Sequence, residues 1–383
     1  MEMSAAIKEH SYRLLRTLIR SSFFGDHLPA ERQVIQRTRI PRHAVMEALE
    51  RLLQETILEK DGDTFRRNPS TQKNANGRVA FLLNSNIFES WYGIFQDYLI
   101  GFEETLVNAG YGVLYRAEFR DLSHKIHTVE EFRDAGIKGI ALGSYAEPQL
   151  RHYINDRQIP AVVLGNATID QQEIGSVCTD NFGGMAQAVH FLHEKHHRQI
   201  ALYVAGSRSH DGFRQRQIGY DIAMRSHGLM PLHDLVFGEP HNGTLARRAC
   251  IAFQGMHPRP TAIVCASDRE AFELMSEFHQ SGIKVPQDVS VCGFDNNIYG
   301  GITEPALTTM EIHGLEMGSA AGAFLLNEIE QPQMPVRILI PTDLLVRDSV
   351  RGLEETAGKP SGKSPAGKTQ RMVVPEDASL LHF

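Results

Sequence analysis

An arginine, an aspartate and an aromatic ring around one site can hold a polyhydroxylated molecule. The charged pair brackets vicinal hydroxyls, each charged hydrogen bond being worth about 1.5–3 kcal/mol. The ring offers an apolar face to C–H groups. In this chain of 383 residues such side chains recur just after short apolar runs. Val79–Leu83 leads into Asn84-Ser85-Asn86 and then Trp91-Tyr92, and Ala161–Leu164 leads into Gly165-Asn166. Tyr203-Val204 is followed by Gly206–Asp211 and then Arg216, and Ile263–Ala266 by Ser267-Asp268. Val289–Gly293 is followed by Asp295 and Asn296-Asn297. Asp268, directly before an apolar-periodic stretch, could equally be a helix N-cap, as could Asp180.

A second set of residues could contact nucleic acid. Arg32, Arg42, His43, Arg66 and Arg67 lie near the N-terminus, and residues 1–76 hold 13 Lys+Arg against 10 Asp+Glu in a chain whose net charge is −7. The asymmetry alone is a weak pointer; solvated surface charge is the competing reading. His193, His196 and His197 form a third cluster, read as a polar helix end because nothing nearby completes a metal set.

The runs that lead into Arg216 and Asp295 are apolar throughout and alternate with helical patterns. That is the signature of a parallel sheet covered on both faces. About 270 residues is long for one doubly wound unit, so two lobes with a cleft are expected. Ligands of such sheets bind beyond the C-terminal strand ends. Upstream, Ile7, Leu14, Leu15, Leu18 and Ile19 line one face of a first helix. Leu28-Pro29-Ala30-Glu31-Arg32 opens a second. Val45, Ala48, Leu49, Leu52 and Leu53 line a third starting near Pro41. Asp61-Gly62 then reads as a two-residue hairpin turn. The fold class is therefore α/β: an N-terminal winged helix-turn-helix plus a two-lobed doubly wound parallel-sheet domain. The boundaries are 1–67 for the winged helix, 68–77 for a polar linker, 78–350 for the large domain and 351–383 for a tail expected to be disordered. A third helix of this kind fits the major groove, with Arg42 and His43 at its base-reading end and Arg32, Arg66 and Arg67 able to reach phosphates.

Gly25 to Phe65 resembles the DNA-binding domain of the GntR family. The residues that carry the likeness are Gly25, Leu28–Arg32, Arg42, Val45, Ala48-Leu49, Leu52 and Thr64-Phe65. The resemblance places DNA-contacting arginines at Arg32 and Arg42; with His43, Thr64 and Arg66 they make up the expected DNA-binding set. Pro41, Met46 and Asp61-Gly62-Asp63 depart from the family pattern, which implies an atypical operator and modest affinity. Residues 78–350 resemble the periplasmic-binding-protein-like sensor of the LacI/GalR family. The carriers are Thr179-Asp180-Asn181, His197–Ala201, Arg216-x-x-Gly219-Tyr220, Ser267-Asp268-x-x-Ala271, Pro286–Asp295 and Pro305–Thr309. The resemblance implies ligand contacts at Trp91, Tyr92, Asn166, Arg216, Ser267 and Asp295. His196 stands where a glycine usually ends the helix. Residues 68–77 lack the hinge-helix pattern of regulators with a LacI-type reader.

Together these readings give a ligand-responsive transcription regulator of sugar uptake or catabolism genes. It would be a cytoplasmic homodimer on double-stranded operator DNA, without cofactor, metal or membrane contact. A regulator without a small-molecule ligand, and a sensor of purines or another non-sugar metabolite, stay open. No P-loop, G-x-G-x-x-G after the first strand, H-E-x-x-H or G-x-S-x-G elbow supports an enzyme. A secreted sugar-binding protein would need a signal peptide, and the first twenty residues lack that pattern. The cysteines Cys178, Cys250, Cys265 and Cys292 have no C-x-x-C spacing and read as buried thiols.

Overall fold

The computed structural model describes residues 5–354 apart from residues 39, 63, 69–74, 84–93, 118–120, 145–146, 166–172, 206–210, 238–243 and 333. The N-terminal elements are α1 (Ala5–Arg20), β1 (His27–Leu28), α2 (Glu31–Thr38), α3 (Arg42–Gln54), β2 (Leu58–Asp61) and β3 (Thr64–Arg67). The apolar stripes are buried as their helical spacing requires: Leu14, Leu15 and Leu18 of α1 meet Val45, Leu49 and Leu52 of α3 in one core. β3 is the middle of a three-stranded antiparallel sheet in the order β1-β3-β2. Asp61 pairs with Thr64, so Asp61 belongs to β2 and not to the turn that Asp61-Gly62 suggested. Gly62 has φ +60° there, which a glycine adopts at little cost.

The first lobe carries β4 (Arg78–Leu83), α4 (Ile94–Asn108), β5 (Gly112–Ala117), α5 (Leu122–Asp134), β6 (Ile140–Ser144), α6 (Pro148–Asp156), β7 (Ala161–Gly165) and β8 (Gly175–Thr179). The second carries α7 (Asn181–Glu194), β9 (Ile200–Val204), α8 (Asp211–Ser226), β10 (Leu232–Val236), α9 (Leu245–Gly255), β11 (Ala262–Cys265), α10 (Asp268–Gln280), β12 (Ser290–Cys292) and β13 (Thr309–Glu311). α11 (Gly314–Glu330) and β14 (Arg337–Ile340) return to the first lobe, and β15 (Asp343–Leu345) pairs with β13.

Both sheets are parallel, as the continuous apolar runs require. Their orders are β14-β8-β7-β6-β4-β5 and β10-β9-β11-β12. The chain passes between lobes three times, after Thr179, after Glu311 and after Ile340. All four cysteines are buried thiols. Strands β1, β8, β10, β13, β14 and β15 were not expected from sequence.

Candidate functional site

At the C-terminal edge of the second lobe's sheet, three segments that are distant in sequence converge on Arg216. Asp295 Oδ1 lies 2.9 Å from its Nη2. Its Nε donates to Asn181 Oδ1 at 2.7 Å, and its Nη1 to the Ala266 carbonyl. The guanidinium stacks over the Phe294 ring, 3.8 Å from the centroid. These contacts and the aromatic face together fix the plane of the guanidinium. Arg216 and Asp295 are 9% and 5% exposed, so their attraction is little screened by water. Asp295 has φ +119°, a backbone state rare outside glycine. The preceding Gly293 has no room for a side chain, since a Cβ would sit 2.2 Å from Asp268 Oδ1. The turn is held by its surroundings and aims the carboxylate at Arg216.

Asp268 is what holds that turn. It is not the helix cap: Ser267 caps α10, accepting from the Glu270 N–H. The buried Asp268 carboxylate accepts from the Asn297 N–H at 2.6 Å and from the Thr309 hydroxyl, and its N–H donates to the Phe294 carbonyl. Glu270, also buried, accepts from the Ala205 N–H at 2.7 Å, just past β9. Burial raises all three carboxyls above their ordinary range. Asp268 and Glu270 reach about 7, and Asp295 about 6 against the opposing pull of Arg216. Asp180 behaves as the N-cap it could have been, accepting from Gly183 N–H.

Of the sequence-derived ligand set, the structure therefore brings Arg216 and Asp295 together, with Ser267 next to the Ala266 carbonyl that Arg216 holds. Trp91, Tyr92 and Asn166 lie outside the described residues. Sequence reasoning missed Asn181, Phe294 and Glu270 as partners of this centre. Asn181 and Phe294 stood inside motifs already singled out, but nothing in sequence ties them to Arg216.

The second candidate set lies on and around α3. Arg42 and His43 are its first two residues, both exposed, beyond Pro41, which makes no side-chain cap bond. Arg42 pairs with Glu31 at 2.7 Å and stays 76% exposed. Arg32 is exposed on α2. On the hairpin, Thr64 donates to the Asp61 carbonyl and Arg66 reaches Glu59 at 3.3 Å. Arg67 is turned inward, onto Asp26 and Ser22, so it braces the domain and is not free for phosphate. The three histidines of the third cluster separate. His197 is buried against Thr261 and the Arg351 carbonyl. His193 stacks on His227. His196 has φ +67° at the helix end where a glycine is usual. No group of three or more metal-ligating side chains occurs among the described residues.

Comparison with known proteins agrees with this architecture. Residues 189–350 match the periplasmic binding protein-like domain. The chain is 28% identical over 264 residues to the HTH-type transcriptional repressor CytR of Escherichia coli (strain K12), over 68% of this chain and 76% of that protein. It is 25% identical over 345 residues to an arabinose metabolism transcriptional repressor of Geobacillus stearothermophilus, over 85% of this chain and 92% of that protein. Its fold matches that of a LacI family transcriptional regulator from Enterococcus faecium, solved with bound ribose. The TM-score is 0.60 at 19% identity, over 72% of this chain and 100% of that chain. Residues 189–350 thus carry a periplasmic binding protein-like domain, and over most of its length the chain is similar to transcriptional repressors.

Proposed function

We propose that the protein controls genes of sugar uptake or catabolism by binding a sugar between its lobes, with the bound sugar altering its affinity for operator DNA. The observation that carries this reading is the buried Arg216–Asp295 pair, fixed at the C-terminal strand edge of the second lobe by Asn181 and Phe294. A pre-aligned cation and carboxylate can bracket vicinal hydroxyls without reorganising. In this reading Ser267 and the segments carrying Trp91, Tyr92 and Asn166 complete the site. The repressors of arabinose metabolism among the relatives favour a sugar over a purine.

Residues 1–67 are the DNA reader, a GntR-like winged helix. α3 enters the major groove with Arg42 and His43 leading. Arg32, Thr64 and Arg66 reach the backbone. Two features support this. Three helices are followed by a hairpin, and the basic groups at the start of α3 are solvent-facing. Residues 68–77 join the reader to the effector-binding and dimerisation domain expected at 78–350, whose second lobe also holds Arg351 and Leu353, beyond the expected boundary. A homodimer would set two readers on an inverted repeat in the cytoplasm. No helix among the described residues is long and apolar enough to cross a membrane.

The test is capture of fragmented genomic DNA by the full chain, with a chain starting at residue 77 as control. Enrichment of a few inverted repeats by the full chain alone is expected, followed by release or tightening with one member of a sugar panel. Equal enrichment by both chains, or a response to purines and to no sugar, would overturn the corresponding part of the reading.

A further inference from the structure

α1 does more than close the core of the N-terminal domain. One stripe of it, His10, Arg13, Arg16, Thr17 and Arg20, has helical spacing and lies against α4 of the first lobe. His10 meets Gln96 at 3.1 Å and Asp97 at 3.3 Å. Arg13 grips Glu104 with two bonds, at 3.1 and 2.7 Å, and Arg16 joins it. Thr17 donates to Glu103, with Arg20 3.9 Å from the same carboxyl, which is fully buried. Past the helix, the Ser21 carbonyl accepts from the Tyr115 N–H on the edge strand β5, and Phe23 packs on the Tyr115 ring. The core of the N-terminal domain is continuous with that of the first lobe.

The α4 turn that holds His10 also touches a segment that crosses between the lobes. Asp97 packs on Gly314, where a Cβ would lie 2.8 Å from Asp97 Cβ. Gly314 opens α11 directly after the crossing at residues 311–313. On the side of the ligand site, Asp295 donates its N–H to the Met310 carbonyl of β13 at 2.8 Å, just before that crossing. α4 and α11 are pressed together at Gly101 and Gly318, where added methyl groups would strike backbone at 2.0 and 2.2 Å. Helices in such contact shift together, with no slack between them.

We propose that the reader is docked on the first lobe through this charged α1–α4 face, and that the first turn of α4 passes the state of the cleft to it through the contact of Asp97 with His10. The signal then needs no hinge helix in the linker. Asp97 and His10 act as positioning residues and touch neither DNA nor ligand. The inference rests on reading residues 1–67 as the DNA reader, but the docking itself is testable without DNA.

The experiment is hydrogen exchange on the full chain, reading α1, α3 and β9 separately. In Glu104→Ala, exchange in α1 should rise at least tenfold while α3 keeps its protection, showing a reader released yet folded. Unchanged α1 exchange would overturn the docking. Arg216→Ala, or the milder Asp295→Asn if β9 loses protection, perturbs the cleft without any ligand. Each should change α1 exchange at least threefold in the parent background and less than 1.5-fold in His10→Ala. Identical α1 exchange with and without the cleft substitution would overturn the coupling. So would a response that survives in His10→Ala. Loss of DNA capture with the exchange pattern intact would count against the reader assignment alone.

Discussion

The buried carboxyl of Glu103 makes the α1–α4 face sensitive to pH in a direction that can be worked out. Its side chain is fully buried, and one oxygen, Oε1, makes no hydrogen bond. Burial raises its pKa from 4.5 to about 7, against the opposing pull of Arg20 and Arg16. An acid whose folded pKa is raised stabilises the folded state fully below its unfolded pKa. That stability is lost as pH rises through the folded value, because the unfolded chain gives up the proton first. The shift corresponds to about 3 kcal/mol, lost between about pH 4.5 and pH 7. Glu103→Gln keeps the shape and the oxygen that accepts from Thr17 but cannot ionise. At pH 8 it should protect α1 and α4 amides by about 2–3 kcal/mol more than the parent, an exchange slower by one to two orders of magnitude. At pH 4.5 the two should match. Hydrogen exchange at the two pH values, corrected for intrinsic rates, reads this directly. Equal protection at pH 8, or an equal gain at both pH values, would refute the assignment of a buried, strained carboxyl at this face.

Further outcomes follow from the same geometry. Arg42→Ala should weaken operator binding about tenfold or more, the scale of one lost base or phosphate contact, and leave ligand affinity unchanged; fluorescence anisotropy and calorimetry check the two halves. Arg216→Ala should abolish effector binding by calorimetry while operator binding is retained and no longer responds to effector. It should also destabilise the second lobe by about 3–5 kcal/mol, because Asp295 is left buried without its cation. Asp268→Asn should loosen the turn at Asp295 and lower effector affinity without touching the ligand, since it weakens the hold on Asn297 and Thr309; unchanged affinity would deny the turn its supporting role. Gly219→Ala should cost the second lobe about 1–3 kcal/mol in urea unfolding, because its Cβ would lie 2.4 Å from the Phe182 carbonyl oxygen.

Local pattern was enough for most of the elements. The helical stripes of α1 and α3 and the all-apolar runs at β4, β7, β9, β11 and β12 follow from burial periodicity, which is a property of neighbouring residues. Reading the residues just after each apolar run, together with the resemblance to known sensors, singled out Arg216 and Asp295, which the fold brings together. β8, β10, β13, β14 and β15 escaped notice because each is short and mixes polar with apolar residues, so no continuous apolar run marks it. Tertiary structure alone decided that Asn181 and Phe294 lock Arg216, that Asp268 braces the turn and does not cap a helix, and that Arg67 turns inward. It alone set His10, Arg13, Arg16 and Arg20 against the acids of α4. As a sequence, that stripe is only the polar face of an amphipathic helix, and what covers such a face depends on contacts some 90 residues away, which no local spacing encodes.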